Sequence, residues 1–323
     1  ACGGDDDSDS ADSSATEAEG EAGTGDAGAE GDAGTTEGSE GGETAEGSGD
    51  GAGDAGTTEG SAPDSSEIGP APDTVECVQG NTVEEGVLTI ATGEPAFPPY
   101  VLNDATPEDG QGFEAAVAMA VARELGFGAD SVNWVRTAFD AAIAPGPKDF
   151  DFNLQQYTIT PERAEVVDFS AGYYSAPQAI FGLSDAAAAG ATTLAELRGL
   201  KIGVAAGTTS VTYVEEVIRP DAEVLIFNDN ASAKQALESN QIDAIVSDLP
   251  TALFITAVEI EGTTVYGQIE GSGTDEFGLL LSKDNPLTEC VNIALGNLRA
   301  SGELDAITQE WMADFTEAPV ISL

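Results

Sequence analysis

The chain has 323 residues with 59 acidic side chains, ten basic ones and no histidine, which gives a formal net charge of −49. This charge excludes a nucleic-acid-binding surface, because phosphate contacts need clustered Lys or Arg, and it excludes charge-driven adsorption to anionic lipid. The lack of histidine excludes His-based catalysis and His-metal chemistry, and no apolar run approaches the roughly 18 residues that cross a bilayer.

Residues 1–74 form an acidic segment rich in Gly, Ala, Ser and Thr, without a basic or aromatic residue. Because it cannot bury enough apolar surface to offset its ordering entropy, we expect a disordered tether. Cys2, beside Ala1, is typical of a lipid-attachment site in an exported lipoprotein whose signal peptide has been removed; a stray terminal thiol is the alternative.

Globular patterning begins at Glu85. The segments that follow predict, in order, a strand, a helix, a strand, a short helix and a strand: VLTIAT (87–92), EAAVAMAVAREL (114–125), VNWVRT, FDAAIA and DFDFNL (149–154). The apolar run VVDFS then follows the turn that contains Arg163. The long helix places Val117, Val121 and Leu125 on one face, the spacing of an amphipathic helix packed on a core.

A second series of elements begins after Pro177. Thr193 and Glu196 predict a capping box for a short helix. The segments that follow predict alternating strands and helices, then a strand and two closing helices: KIGVAA, VTYVEEVI, EVLIFN, ASAKQALESN, IDAIVSD, PTALFITAV, FGLLLS (277–282), 287–300 and 303–315. This alternation indicates an α/β fold, and its length suits two lobes, about 83–176 and 177–274, joined at a hinge by two chain crossings; 275–323 could extend either lobe.

Cys77 and Cys290 are the only cysteines after Cys2. In an exported protein two such residues most often form a disulfide, and this one would tie the C-terminal segment to the beginning of the first lobe. Two buried free thiols are the alternative.

Arg163, in YTITPERAEVVDFS (157–170), is one of the few cations of the chain. A guanidinium at a helix start, beside Pro161, presents planar donors that match a carboxylate. A structural salt bridge to Glu165 or Asp168 is the alternative.

Two features of the second lobe are also candidates for ligand contacts. GTTS (207–210) lies between a strand and a helix, where free N–H groups and hydroxyls can bind an anion, although the same pattern makes a plain helix cap. Asp248 ends a buried strand, where α/β sheets place ligand groups; its carboxylate suits an ammonium or, alternatively, caps the next helix.

Phe97, in the proline-rich loop EPAFPPY (94–100), and Phe139 could sandwich an aliphatic or cationic side chain. Packing in the core is the alternative for each ring.

Six blocks of the sequence resemble, in order, the extracellular solute-binding proteins of polar amino-acid ABC importers. The blocks span roughly 85–315, and the most specific runs from ITPER to DFS: GVLTIATGEPAFPPY, GQGFEAAVAMAVARELGF, YTITPERAEVVDFSAGYY, LRGLKIGVAAGTTS, IDAIVSDLPTA and FGLLLSKDNPL. The resemblance implies a two-lobed, periplasmic-binding-protein-like fold of type II with an interlobe cleft. It also implies that the C-terminal helices join lobe 1, which becomes 75–176 plus 275–323, with lobe 2 at 177–274.

The resemblance also implies roles for individual residues. Arg163 would bind the α-carboxylate of an amino acid with help from Thr158, Thr208 and Thr209. Asp248 would hold the α-ammonium, Phe97 and Phe139 would flank the ligand side chain, and Glu94 falls where an acid meets basic side chains. Gln155, Gln156 and Tyr157 replace the small residues usual before Thr158, so Gln156 is a further candidate contact.

The function implied is capture of a free amino acid, polar or cationic, by hinge closure and its delivery to a membrane permease. The protein would be a lipid-anchored monomer on the extracellular face of the cell membrane, without a cofactor or metal. The alternatives are a lyase or dehydratase on the same scaffold, with Glu94 as general acid, and an extracellular amino-acid sensor.

Overall fold

The computed structural model describes residues 72–104, 106–270 and 274–322. Most of the tether predicted over 1–74, with the lipid site at Cys2, therefore lies outside the described residues. The first described helix begins at Pro72, within the last residues of that predicted segment. Among the described helices, none combines the length and apolar character that a bilayer crossing requires.

The described elements follow one another along the chain in an α/β order. They are α1 (Pro72–Val78), β1 (Leu88–Gly93), α2 (Phe113–Glu124), β2 (Val132–Thr137), α3 (Phe139–Ile143), β3 (Phe152–Asn153), α4 (Pro161–Ala164), β4 (Val167–Phe169), β5 (Tyr174–Ala176), β6 (Gln178–Leu183), α5 (Leu194–Leu197), β7 (Ile202–Ala205), α6 (Thr209–Tyr213), β8 (Leu225–Phe227), α7 (Asn230–Glu238), β9 (Ala244–Asp248), α8 (Leu249–Phe254), β10 (Thr263–Ile269), β11 (Asp275–Phe277), β12 (Leu280–Ser282), α9 (Leu287–Ser301), α10 (Glu303–Met312) and β13 (Val320–Ile321).

Lobe 1 is built on a five-stranded sheet with the order β2-β1-β3-β12-β4. Strand β1 runs parallel to β2 and β3, and β12 runs antiparallel to β3 and β4. Helix α2 covers this sheet, and the predicted stripe, Val117 and Val121 on the helix and Leu125 at its C-cap, is buried in the core of the lobe. Burial of three such side chains contributes several kcal/mol, at about 1.5–3 kcal/mol each.

Lobe 2 is built on a six-stranded sheet with the order β13-β10-β6-β9-β7-β8. Strand β7 is parallel to β8 and β9, whereas β6 is antiparallel to β9 and β10. The predicted capping box is present at α5, where the Glu196 carboxylate accepts a hydrogen bond from the Thr193 backbone N–H at 3.0 Å.

The two lobes are joined by a separate antiparallel pair, β5 and β11, in which Asp275 lies opposite Ala176. The strand predicted over FGLLLS (277–282) is therefore divided. Its first residue ends β11 in the crossing pair, and β12 joins the sheet of lobe 1. A continuous apolar run cannot indicate this break, because it reflects pairing with two different, distant strands.

The strand predicted over 149–154 was also too long, since only Phe152–Asn153 is extended in the sheet. Asp151 instead turns its carboxylate toward the backbone, where it accepts hydrogen bonds from the N–H groups of Val83 at 2.7 Å and Thr89 at 2.6 Å.

The C-terminal segment was predicted to belong wholly to lobe 1, and the structure corrects this. Helices α9 and α10 pack on α2 of lobe 1. The chain then crosses again, and β13 pairs in parallel with β10, with Gln268 opposite Val320. Three chain passages, not the predicted two, therefore connect the lobes.

A disulfide joins Cys77 in α1 to Cys290 in α9, across 213 residues of sequence, as predicted. The alternative of two free thiols is thereby excluded. The bond lies in the helical layer of lobe 1, and neither cysteine borders the interlobe cavity.

Candidate functional site

A cavity of about 210 Å³ lies between the two lobes. Residues of both lobes line it, and they include all nine that the sequence singled out: Glu94, Phe97, Phe139, Gln156, Thr158, Arg163, Thr208, Thr209 and Asp248. The fold therefore brings to one space residues that are separated by up to half of the chain.

Arg163 is held at the boundary between the lobes. The Thr160 side chain caps α4, and the Arg163 side chain leaves this short helix with only 9% of the residue exposed. Its Nη1 donates to the Thr158 carbonyl of lobe 1 at 2.7 Å, and its Nη2 donates to the Gly207 carbonyl of lobe 2 at 2.9 Å. Burial lowers the pKa of this guanidinium, and the charge of Asp275 opposes that shift.

The salt bridge considered as an alternative for Arg163 does not form. Asp168 pairs with Lys283 instead, at 3.1 Å, and none of the ion pairs in the described part of the chain includes Arg163. A buried cation whose neighbours are carbonyl oxygens retains its capacity to bind an anion.

Gly207, at the turn before α6, has a φ of 70°, in the left-handed region. A Cβ at this position would collide with the Asp140 carboxylate, so a larger residue would displace the carbonyl that Arg163 contacts. Thr208 follows at the N-cap position of α6, and its hydroxyl donates to the Ala205 carbonyl at 2.8 Å.

Asp248 combines the two roles that the sequence left open, since it borders the cavity and caps α8. Its carboxylate accepts from the Thr251 N–H at 3.0 Å, the Thr251 hydroxyl at 2.9 Å and the Tyr100 hydroxyl of lobe 1 at 2.6 Å. Burial raises the pKa of this carboxyl, and the hydrogen bonds from Tyr100 and Thr251 act against the shift. None of the described ion pairs includes Asp248.

The two aromatic residues border the cavity but also contact protein groups. The Phe139 ring stacks on Tyr157 with centroids 4.7 Å apart, and the Arg163 guanidinium lies 5.4 Å from its centroid. The Phe97 ring meets the Lys234 ammonium of lobe 2 at 5.5 Å. The Phe139 ring thus supports Arg163, and Phe97 contributes to the contact between lobes.

Gln156 is held in place by a buried acid. It has a φ of 51°, which is unusual for a residue other than glycine. Its backbone N–H donates to Glu114 Oε1 at 2.8 Å, and its side-chain amide donates to Glu114 Oε2. The Gln156 amide, a predicted ligand contact, is therefore engaged by Glu114.

The cavity lining also includes residues outside the nine predicted contacts, among them Gln178, Ser210 and Asp275. The Gln178 side chain donates to Asp275 Oδ2 at 2.7 Å and accepts from the Ser210 hydroxyl at 2.7 Å. Ser210 ends the GTTS turn and could have been included with it. Gln178 and Asp275 belong to no recognisable motif, and only the crossing of the chain between the lobes brings them to the cavity.

The charge of the cavity lining is unbalanced. Four lining residues are acidic (Glu94, Asp229, Asp248 and Asp275), and Arg163 is the one basic residue among those that line it. Since Arg163 and Asp248 come from opposite lobes, the cavity offers one site for an anion and several for cations. No group of side chains suited to holding a metal ion occurs within the described residues.

Two α/β lobes, a crossing pair of strands and a polar cavity between the lobes define a periplasmic-binding-protein-like fold of type II. The chain belongs to the bacterial extracellular solute-binding proteins, family 3, whose family model matches residues 88–314.

Individual relatives agree with this assignment. The L-cystine-binding protein TcyJ of Escherichia coli (strain K12) is 30% identical over 240 residues, 72% of this chain and 86% of TcyJ. The L-arginine-binding protein of Pseudomonas aeruginosa is 30% identical over 231 residues, 68% of this chain and 86% of its own. A solved structure, an ancestral arginine-binding protein bound to glutamine, is 32% identical with a TM-score of 0.61 and covers 71% of this chain and 98% of its own.

Proposed function

We propose that this protein is the amino-acid-binding component of an ABC importer, which captures a free amino acid outside the cell and delivers it to a membrane permease. Membership of a solute-binding family supports the proposal, as do the relatives named for binding cystine and arginine. The same findings favour binding over the lyase, the dehydratase and the sensor considered from the sequence.

One observation carries the proposal. Arg163 is buried and Asp248 is partly buried; they are oppositely charged, come from different lobes and have no ion-pair partner among the described residues. A buried charge without a partner is costly, and an α-amino acid supplies a counter-charge for both. Its carboxylate would meet Arg163 with Thr158, and its ammonium would meet Asp248.

Binding follows from the division of these residues between the lobes. The ligand first docks on lobe 1 through Arg163, and closure then brings Thr208, Thr209 and Asp248 onto it. The ligand favours closure by the contacts that it makes only in the closed state. Contacts between the lobes, such as Tyr100 with Asp248, add to the stability of that state.

The side chain of the ligand is polar or cationic in this proposal. Glu94 borders the cavity, and acids outnumber bases in its lining, so the potential inside favours a positive group. Phe97 and Phe139 would provide apolar surface for the methylene groups of such a side chain.

The proposal extends to the location of the protein. A lipid on Cys2, which lies outside the described residues, would anchor a monomer to the extracellular face of the membrane. The acidic segment of about 70 residues would act as a tether with a reach of roughly 45 Å, which keeps the receptor near its permease.

A thermal-shift screen of the twenty amino acids tests the function. A ligand present at 100 times its Kd should stabilise the protein by about 2.7 kcal/mol. Arg163→Ala should then weaken binding of the best ligand at least about 30-fold, because truncating one side of a buried charge pair costs roughly 2–5 kcal/mol.

Arg198→Ala is the matched control, since Arg198 is exposed on lobe 2 and does not border the cavity. Unchanged affinity in Arg163→Ala would show that the carboxylate site is assigned to the wrong residue. Turnover of a bound amino acid would contradict a purely binding role.

A further inference from the structure

Asp275 borders the cavity from the strand that connects the lobes. It is the first residue of β11, opposite Ala176 in the crossing pair, and it is half-buried. Its Oδ2 accepts two hydrogen bonds from lobe 2, one from the Thr209 hydroxyl at 2.7 Å and one from the Gln178 amide at 2.7 Å. An acid is thus fixed at the end of the cavity where Arg163 lies.

The hydrogen bond from Thr209 has a defined direction. A carboxylate can only accept, and a hydroxyl has one proton, so the proton of Thr209 is committed to Asp275. The Thr209 oxygen can then accept hydrogen bonds but cannot donate to a ligand. Thr158 Oγ1 lies 3.5 Å from this oxygen, so the Thr158 hydroxyl is the donor of this pair, and its proton could turn to a ligand carboxylate instead.

Asp275 also offsets the charge of Arg163. Asp275 and Asp140 are the acids whose charge acts on the guanidinium, and of these two only Asp275 borders the cavity. A ligand carboxylate bound to Arg163 would therefore be repelled by a carboxylate fixed at the same end of the cavity.

We propose that Asp275 is a ligand-binding determinant that limits how tightly the site holds an α-carboxylate, both by its charge and by taking the proton of Thr209. The inference rests on the proposed function and adds a residue to it. With this acid present, binding depends more on the rest of the ligand and less on the carboxylate, and release on opening is faster.

Asp275→Asn tests the inference in the full chain. The asparagine removes the charge, and its amide can donate to the Thr209 oxygen, which frees the hydroxyl proton for the ligand. Kd is measured by calorimetry for each amino acid that binds, beginning with L-arginine, and for its α-amide, here L-argininamide. We expect Asp275→Asn to tighten L-arginine about tenfold and to change L-argininamide less than threefold.

Asp130→Asn is the control for net charge, because Asp130 is exposed and is not among the residues that line the cavity. Its Kd values for L-arginine and L-argininamide should equal those of the wild type. Equal changes in Kd for L-arginine and L-argininamide, or weaker binding of L-arginine, would overturn the inference. Asp275 would then have only a structural role. If Asp275→Asn does not fold, Asp275→Ser, which also removes the charge, takes its place. The Kd values for L-arginine and L-argininamide are then compared in the same way. A wild type that binds none of the twenty amino acids would instead contradict the proposed function.

Discussion

Glu114 is a buried carboxyl group in the core of lobe 1 that accepts hydrogen bonds from three donors but has no ion-pair partner among the described residues. The donors are the Gln156 N–H, the Gln156 amide and the Tyr173 hydroxyl. Burial raises its pKa to about 7, against the effect of these hydrogen bonds. The hydrogen bonds to Glu114 hold the Gln156 backbone in its left-handed conformation, which costs about 1–3 kcal/mol of strain.

The shift makes stability depend on pH. The folded pKa of about 7 lies above that of an unfolded Glu, about 4.3, so the folded state binds the proton more tightly. The contribution of Glu114 to the free energy of unfolding is therefore fully present below a pH of about 4, declines as the pH rises through about 7, and is lost above that value. In the wild type, we expect the titration of Glu114 to lower the free energy of unfolding by on the order of 3 kcal/mol between pH 4 and pH 8. Glu114→Gln should not show this decrease.

Urea unfolding at several pH values measures this decline. Glu310→Gln is the control, because Glu310 is exposed on α10 and its loss should leave the wild-type slope in place. An identical pH slope in Glu114→Gln and the wild type would show that Glu114 is not the titrating group.

At the level of single residues, the sequence predicted some of the residues that line the cavity and missed others. Seven of the nine residues singled out lie within the six blocks of resemblance, Phe139 and Gln156 lie outside them, and all nine line the cavity. Gln178 and Asp275 could not be found in this way, because their position depends on where the chain crosses between lobes. Whether each residue contacts a ligand stays a prediction.

The helical layer of lobe 1 depends on the bond between α1 and α9. Replacing both Cys77 and Cys290 by alanine should lower the free energy of unfolding by roughly 5 kcal/mol in the chain-entropy model, because the closed loop spans 213 residues. The Kd for the ligand should change little, since neither cysteine borders the cavity. Calorimetric unfolding and a binding titration of the same variant measure the two quantities.

Reduction of the wild type with a thiol reagent should reproduce the loss of stability. A large loss of affinity in the double variant would contradict the separation of this bond from the site.

At the level of helices and strands, short sequence patterns correctly predicted the features that depend on neighbouring residues. The stripe on α2 and the capping box at α5 are set by residues three or four positions apart, and both are present. The division of FGLLLS between two sheets and the strands β6, β10 and β13 were not anticipated. Their boundaries depend on pairing with distant strands, which no short window of sequence contains.

The charge of the whole molecule predicts a dependence on salt. A net charge of −49 opposes the compact state through self-repulsion, and screening shortens its range from about 10 Å at 0.1 M salt to about 3 Å at 1 M. We expect the unfolding midpoint to rise between 0.05 M and 1 M NaCl by roughly 2–4 °C for each kcal/mol gained.

Sucrose at matched osmolality is the control, because it strengthens burial without screening charge. An equal rise in sucrose and in salt would contradict an electrostatic origin.

The return of the chain to lobe 2 at β13 restricts how the molecule can open. Besides β5 and β11, residues 313–319 form a third link, and Phe315 in it packs against Phe254 of α8 with ring centroids 5.8 Å apart. Two adjacent links would allow the lobes to swing and also to twist about each other. We expect a third link, anchored at the edge of the six-stranded sheet, to resist torsion more than bending, so a bend is the motion between the lobes that the connections favour.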